Sequence, residues 1–259
     1  MTLNRWLLNS FTTWELGLIL VGACAVIAFG GHFLARPVVS KVENRVVTTA
    51  FGIVTGLFSF VLAFLIGQLY NGFTNAAANV RDEATALSQL VRVSNYLGHP
   101  EGRATDRLAL AYAKEVDTRE WQLMKNGHAS PEAWRLVNRM YAELSHYTPR
   151  TPAESAFYSQ ALARLQDLVA ARRTRLDEAN VSVPTALEVM LALGAALALL
   201  TTLNFRPADD RLQLAMIGAA SALVGLALLV ALSLDYPFSG EIAVSNAPFT
   251  QITQSQLDR

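Results

Sequence analysis

One side of the second long apolar segment carries aromatic and amide side chains at helical spacing. At about 100° per residue, one helical face presents Gly56, Phe60, Phe64, Gln68, Asn71, Asn75 and Asn79. A carboxamide without a hydrogen-bond partner is costly in hydrocarbon, so Gln68 at least is expected to face protein or water. If several copies surround an axis, the phenylalanines form rings at a constriction and the amides line a wet vestibule. Hydrophobic constrictions of this kind gate ion flow by dewetting, so the chemistry indicated is permeation.

The same phenylalanines have a simpler interpretation, in which they face lipid or pack between helices. The opposite face of the segment alternates spacings of three and four, which is typical of a seam packed on neighbouring helices. This seam comprises Ile66, Tyr70, Phe73, Ala77, Val80, Ala84, Leu87 and Val91. The pattern alone leaves both interpretations open for Phe60 and Phe64.

The sequence offers no constellation for catalysis or metal binding. Its histidines, at positions 32, 99, 128 and 146, lack ligand spacing, and it has no phosphate-binding glycine loop or nucleophile elbow. Glu188 is interpreted as a solvated or helix-terminal acid rather than a buried functional one. Asp235 is interpreted as a structural cap for the turn that contains Pro237, Phe238 and Gly240, rather than as a catalytic acid. We therefore predict no enzyme activity, no metal and no cofactor.

The composition predicts an integral membrane protein. Apolar residues make up 52% of the 259 residues and charged residues only 16%, whereas soluble domains carry about 25% charged residues. The formal net charge is zero, which argues against nucleic acid as a partner. A bilayer core requires about 20 apolar residues of helix. Four stretches meet this length: 16–35, 46–70, 184–205 and 212–234.

The first stretch has a second possible interpretation as a cleaved signal peptide. Ala23, Cys24 and Ala25 resemble a small-residue cleavage site. However, Arg5 is the only basic residue before the stretch, and the apolar run continues about ten residues past the site. These features favour a retained transmembrane helix.

The chain divides into alternating membrane and polar segments, and all of it is predicted to be α-helical. Helix signals such as Ser130 before Pro131 and the Thr151 to Glu154 capping box occur throughout the long polar stretch. The second apolar helix has no stop signal and is expected to continue to about Leu97. The predicted segments are an interfacial start (1–15), two transmembrane helices (16–70), a helical extramembrane domain (71–183), two more transmembrane helices (184–235) and a tail (236–259).

Several segments resemble the bestrophins, a family of pentameric chloride channels, and more closely a bacterial family of bestrophin-like membrane proteins of unknown function. Residues 59–64 (Ser-Phe-Val-Leu-Ala-Phe) resemble the bestrophin neck, and residues 236–240 (Tyr-Pro-Phe-Ser-Gly) resemble the motif after the last span. The bacterial resemblance also includes Glu83-Ala84, the run from Tyr112 through Glu120 to Met124, and the run from Arg172 to Pro184. These segments are spread over most of the chain.

The resemblance implies a pore neck at Phe60 and Phe64, a post-span turn at Pro237, Phe238 and Gly240, and assembly as a pentamer. The third neck position falls on Gly56, which is not bulky, so the implied neck is shorter or wider. The acidic calcium-binding run that follows the bestrophin motif is missing, since Glu241 is the only acid in residues 241–246. Calcium gating is therefore not implied. At most a modest anion preference is expected, because the presumed pore face has amides and aromatic edges but no Lys or Arg.

Two functions and two orientations remain open from the sequence. The chain is either an oligomeric ion channel in the plasma membrane or a non-conducting scaffold or sensor whose helical domain binds a partner. The basic link 36–45 would be inside by the positive-inside rule, which places the helical domain outside. The resemblance, and the arginines before residue 184, favour a cytoplasmic helical domain, and we adopt that orientation.

Overall fold

A computed structural model describes residues 3–39, 44–97, 100–202 and 210–257, which are mostly helical and contain no strand. The described helices are α1 (Leu3–Ser10), α2 (Thr13–Val39), α3 (Asn44–Ser94), α4 (Glu101–Glu115), a π-helical turn (Val116–Glu120), α5 (Trp121–Met124), α6 (Pro131–His146), α7 (Pro152–Asn180), α8 (Thr185–Thr201), α9 (Asp210–Asp235) and α10 (Ala247–Leu257). The prediction of an all-α protein is confirmed for these residues.

Three of the described helices, α2, α3 and α9, are long and apolar enough to cross a membrane. A fourth span results if α7 and α8 are taken as one broken span, because they are bent by 44° at the intervening residues. Pro184 immediately precedes α8, and the residue before a proline is disfavoured in α-helix. The sequence prediction of about four spans agrees with this range.

The α3 helix is 51 residues long and forms part of both the membrane region and the helical domain. At about 1.5 Å per residue it extends roughly 75 Å, well beyond the bilayer core. It ends at Ser94, close to the expected end at Leu97. Its first half packs on α8 and α9, and its second half packs mainly on α7.

Small residues set the closest approaches between the membrane helices. A Cβ on Gly225 of α9 would lie 2.7 Å from the Cα of Val21 on α2, and a Cβ on Gly194 of α8 would lie 2.5 Å from the Phe58 ring on α3. Lipid supplies no hydrophobic driving force between helices, so close backbone approach and dispersion contacts are what hold such pairs together. The two glycines therefore fix the α2–α9 and α3–α8 contacts.

The helical domain has one continuous apolar core formed by α3, α4, α6 and α7, with Phe238 and Phe249 from the carboxyl-terminal part of the chain. The expected N-caps are present: Ser130 Oγ accepts from Ala133 N at 3.4 Å, and Thr151 Oγ1 accepts from Glu154 N at 3.1 Å. The Glu154 carboxylate, however, accepts from Arg150 N at 2.7 Å, one residue before the position that a capping box uses.

The seam predicted on α3 is present only in its second half. Val80, Ala84, Leu87 and Val91 are buried, but Tyr70 is 57% exposed. The prediction was wrong for Tyr70 because the periodicity was extended through the segment before the helical domain begins. The domain core lies against α3 from about Phe73, which packs on it, and Ala76 is the first fully buried residue there.

Candidate pore-lining face and its anchorage

The two phenylalanines predicted at the neck are exposed on a single subunit. Phe60 is 70% exposed and Phe64 is 63% exposed, and a Cβ on Gly56 would meet no atom within 4 Å. Ile53 and Leu57 are also exposed and lie on the same side of the helix at about 100° per residue. The first half of α3 therefore presents a long apolar and aromatic face that no other described part of its own chain covers.

The opposite face of α3 is the packed one. Leu62, two residues from both Phe60 and Phe64, is buried, and two residues correspond to about 160° around a helix. On the same packed side, Thr55 Oγ1 lies 3.0 Å from Thr201 Oγ1 of α8. The packing of α3 on α8 and α9 thus fixes the direction in which the aromatic face points, which is away from the other described helices.

The amides of the row differ in their surroundings. Gln68, Asn71 and Asn75 are exposed. Asn79 is half-buried, and its Nδ2 donates to Glu178 Oε1 on α7 at 2.6 Å. The structure therefore leaves three amides open along the same side as the phenylalanines and fastens the fourth to the helical domain. Burial raises the pKa of the Glu178 carboxyl, and the bond from Asn79 opposes that rise.

Asp235 joins two membrane-side elements rather than capping the turn that follows it, so the expectation of a cap for residues 237–240 was wrong. Its Oδ1 accepts from the backbone N–H of Val183 at 2.8 Å, which fastens the link between α7 and α8 to the end of α9. Glu188 lies in the first turn of α8, as expected, and accepts from Asn4 Nδ2 at 3.0 Å. Both acids lie at one cavity of about 210 Å³.

The Pro-Phe-Ser-Gly turn connects the end of α9 to the helical domain. Phe238 is buried and meets Trp121 edge to face, with ring centroids 5.8 Å apart. Ser239 Oγ donates to Lys125 O at 2.9 Å, and Gly240 N donates to Asn9 Oδ1 at 3.1 Å. Gly240 has φ of +78°, a conformation that favours glycine. The turn is therefore a structural joint in which each of the three residues has a distinct contact.

A charged cluster lies fully buried between α3, the π-helical turn and α7. Arg175 donates from Nε to Glu83 Oε2 at 2.6 Å and from Nη2 to Glu120 Oε1 at 2.7 Å. Arg172 donates to Glu120 Oε2 at 2.6 Å. The side chains of all four residues are 0% exposed. Two guanidinium groups thus balance two carboxylates, so the cluster is formally neutral.

Tyr112 completes the cluster by donating its hydroxyl to Glu83 Oε1 at 2.5 Å. Burial, and then the charge of Glu83, raise the pKa of Tyr112 well above its usual value, so the phenol remains a donor. Burial by itself lowers the pKa of Arg175, but Glu83 and Glu120 outweigh it and raise that pKa above its usual value. Tyr112 and Arg175 are therefore held as donors to the buried carboxylates, and the cluster fixes α3 to the helical domain.

Comparison with known proteins gives a consistent assignment. The model of the bestrophin-like domain family matches residues 17–249. The chain belongs to the bestrophin-like family. Two solved variants of a bacterial bestrophin homologue from Klebsiella pneumoniae are similar in fold, each with a TM-score of 0.70. The first is 16% identical, and the alignment covers 93% of this chain and 97% of that one. The second is 17% identical, and the alignment covers 96% of this chain and 98% of that one. A structure described as a membrane protein aligns with TM-score 0.71, 16% identity and coverage of 93% and 97%. No curated protein matches.

The family assignment confirms the resemblance inferred from the sequence. In this bestrophin-like chain, residues from several of the segments that carried the resemblance converge in space, whereas the neck at residues 59–64 lies apart from them. Glu83, Tyr112, Glu120 and Arg172 come from three such segments and form the buried cluster, while Phe238 from a fourth packs beside it on Trp121. Apart from the neck, the resembling segments therefore contribute to one joint, in which α3, α7 and the turn after α9 are held together.

Sequence reasoning missed the charged cluster, although the bestrophin-like sequence contains a signal for it. The buried residues of α7 follow one alternating stripe, Ala161, Leu165, Leu168, Arg172, Arg175 and Ala179. Two arginines at seam positions indicate buried charge that needs partners. Glu83 occupies the same kind of position on α3, between Val80 and Leu87, both of which are buried.

Proposed function

We propose that this bestrophin-like chain is one subunit of an oligomeric ion channel of the plasma membrane, a pentamer by resemblance, in which copies of α3 surround a central passage. Phe60 and Phe64 form its neck. Gln68, Asn71 and Asn75 line a wet vestibule beyond the neck, and Asn79 marks the point at which α3 is fastened to the helical domain.

The observation that carries the proposal is the lack of packing on the first half of α3. In its most apolar stretch only 6% of the residues are buried, against 28% in the corresponding stretches of α2 and α9. A helix that contacts so little of its own chain, and that carries three exposed amides next to exposed aromatic rings, needs a partner that is neither lipid alone nor bulk water. Identical helices around an aqueous axis would pack against the aromatic rings and would give the amides water to hydrogen-bond.

The spacing of the proposed lining suits a membrane passage. From Phe60 to Asn79 the helix rises about 28 Å, compared with a hydrocarbon core of about 30 Å. Gly56 occupies the third neck position and presents no bulky side chain, so the constriction consists of the Phe60 and Phe64 rings and is shorter or wider. Aromatic edges carry partial positive charge, and amides discriminate weakly, so the neck gives a modest anion preference.

We place the helical domain in the cytoplasm. Labelling of a His128→Cys variant in a Cys24→Ser background tests this orientation, because His128 is exposed and Cys24 is buried. An impermeant thiol reagent is expected to label the variant only after cells are opened. Labelling in intact cells would place the domain outside.

The channel is tested first by its mass and then by its current. The detergent-solubilised protein is expected to be a defined oligomer and to conduct in planar bilayers. Phe60→Ala is expected to raise the unitary conductance, since it removes half of the constriction. Leu18→Ala is the matched control, because Leu18 is 73% exposed but lies on α2.

A strict monomer, or an oligomer that passes no current in either variant, would contradict the channel and favour a membrane-anchored scaffold or sensor. Under a chloride gradient, the reversal potential of the conducting protein is expected to lie modestly on the anion side. A value at the cation limit would contradict the proposed selectivity.

A further inference from the structure

The exposed face of α3 continues past Asn79 and becomes charged. Arg81, Thr85 and Arg92 are exposed in the second half of the helix. At about 100° per residue they lie within about 60° of Phe60 around the helix axis. The face that carries the aromatic and amide groups in the membrane region therefore carries two guanidinium groups in the helical domain, together with the exposed carboxylate of Asp82, which lies about 40° from Phe60.

These arginines lie along a groove of about 710 Å³ between α3 and the start of α10. Thr85, Ser88 and Gln89 line its α3 wall, and the α10 wall includes Ala247, Pro248 and Gln251. Polar hydroxyl and amide groups thus lie between the two cationic side chains. The Ser88 hydroxyl already donates to Ala84 O at 2.9 Å, so the donors open to a hydrated anion are the two guanidinium groups and the side chains of Thr85, Gln89 and Gln251.

The electrostatic balance of the groove is positive. Within the residues that the structure describes, neither Arg81 nor Arg92 forms an ion pair, and the groove lining includes no acidic residue. Asp82 is the acid nearest in sequence and is exposed on α3, about 100° from Arg81 around the helix. The amino-terminal end of α10, with its partial positive charge, adds to the potential.

We infer that this groove binds small inorganic anions. Its position on the wall of the passage rests on the proposed function, whereas its attraction for anions follows from the single subunit. In an assembled channel, one groove per subunit concentrates anions at the domain end of the vestibule. The pore face considered in the sequence ended at Asn79, and Arg81 and Arg92 lie beyond that point.

A charge-selective thiol reaction tests the groove without requiring any current. Thr85→Cys in a Cys24→Ser background places a thiol on the groove wall, about 6 Å along the helix from Arg81 and about 11 Å from Arg92. The rates of modification by anionic and cationic thiosulfonate reagents of equal size are then compared. The anionic reagent is expected to react faster. The rate ratio is expected to fall about fivefold when both arginines become glutamine, since each charge lies near the Debye length of about 10 Å at 0.1 M salt.

The control thiol is Ser145→Cys on α6, which is exposed and outside the groove. Its rate ratio is expected to be the same with or without the two arginines. Salt at 1 M is expected to abolish the difference at position 85. The proposed anion binding would be overturned if the arginine substitutions left the rate ratio at position 85 unchanged. It would also be overturned if the two reagents still reacted at different rates at 1 M salt. A monomeric or non-conducting protein would refute the channel, but it would leave the conclusion of the thiol experiment about the groove unchanged.

Discussion

Replacing Arg175 by methionine is expected to damage the joint between α3 and the helical domain more than any surface substitution. Methionine has a similar length but removes the cation that lies between Glu83 and Glu120, 2.6 Å and 2.7 Å from their oxygens. Arg172 still pairs with Glu120. Among the residues that the structure describes, Glu83 then retains only the hydroxyl of Tyr112, so one buried carboxylate is left without a cation.

The magnitude follows from the cost of an unpaired buried charge. Removing one partner of a buried ion pair costs about 3–5 kcal/mol, because the remaining charge has lost its solvation without compensation. For a chain of this size each kcal/mol corresponds to about 2–4 °C in Tm. We therefore expect the Arg175→Met variant to unfold about 10 °C below the unsubstituted protein.

The assay is thermal unfolding of the detergent-solubilised protein, followed by loss of the folded peak in size-exclusion chromatography. The double variant Arg175→Met, Glu83→Gln removes both charges and is expected to recover part of the lost Tm. Arg164→Met is the control, since Arg164 pairs with Asp167 on the exposed surface of α7 and such pairs contribute about 0–1 kcal/mol. A Tm for Arg175→Met within about 2 °C of the control, or a double variant less stable than the single one, would refute the reasoning.

Two further substitutions test the packing of the joint and of the membrane helices. Burial raises the folded-state pKa of Glu178 above its ordinary value of 4.5, so the ionised carboxylate destabilises the fold, and this penalty is lost as the pH falls through the folded pKa. The wild type is therefore expected to gain Tm relative to Glu178→Gln between pH 7 and about pH 4. A Tm difference that does not change with pH would contradict the raised pKa of Glu178. Gly225→Ala brings a Cβ to 2.7 Å from the backbone of Val21 and is expected to lower the free energy of unfolding by about 1–3 kcal/mol through overpacking. Gly218→Ala is the control, because open space surrounds Gly218, and it is expected to leave Tm nearly unchanged. Equal Tm values for the two variants would contradict a close α2–α9 contact.

The membrane helices and most of the domain helices could be predicted because their signals are local. Long charge-free runs, the Ser130 cap and the Thr151 cap each depend on a few neighbouring residues. The 51-residue length of α3 was also foreseeable, since no Gly-Pro stop follows its span. These elements required no knowledge of what they pack against.

The buried charges could not be placed because their partners are distant in the sequence. Arg175 is 92 residues from Glu83 and 55 from Glu120. The alternating stripe shows that the arginine faces inward, but it does not say which acids meet it. Asp235 was misassigned for the same reason, since its partner is the backbone of Val183 rather than the adjacent turn.

The candidate pore face was partly predictable. Helical geometry put Gly56, Phe60, Phe64 and the amides on one side, and the single chain leaves that side uncovered except at Asn79, which is bonded to Glu178. Whether other copies of α3 lie opposite this face is a property of the assembly. Periodicity within one helix carries no information about it.

The central claim is that Gln68 of α3 faces a shared aqueous passage. Modification of a Gln68→Cys variant, in the Cys24→Ser background, by a membrane-impermeant thiosulfonate reagent during single-channel recording tests it most directly. We expect the reagent to reduce the current of this variant stepwise and to leave the background protein unaffected. A thiol at position 68 that fails to react, or that reacts without any change in current, would contradict a passage lined by α3.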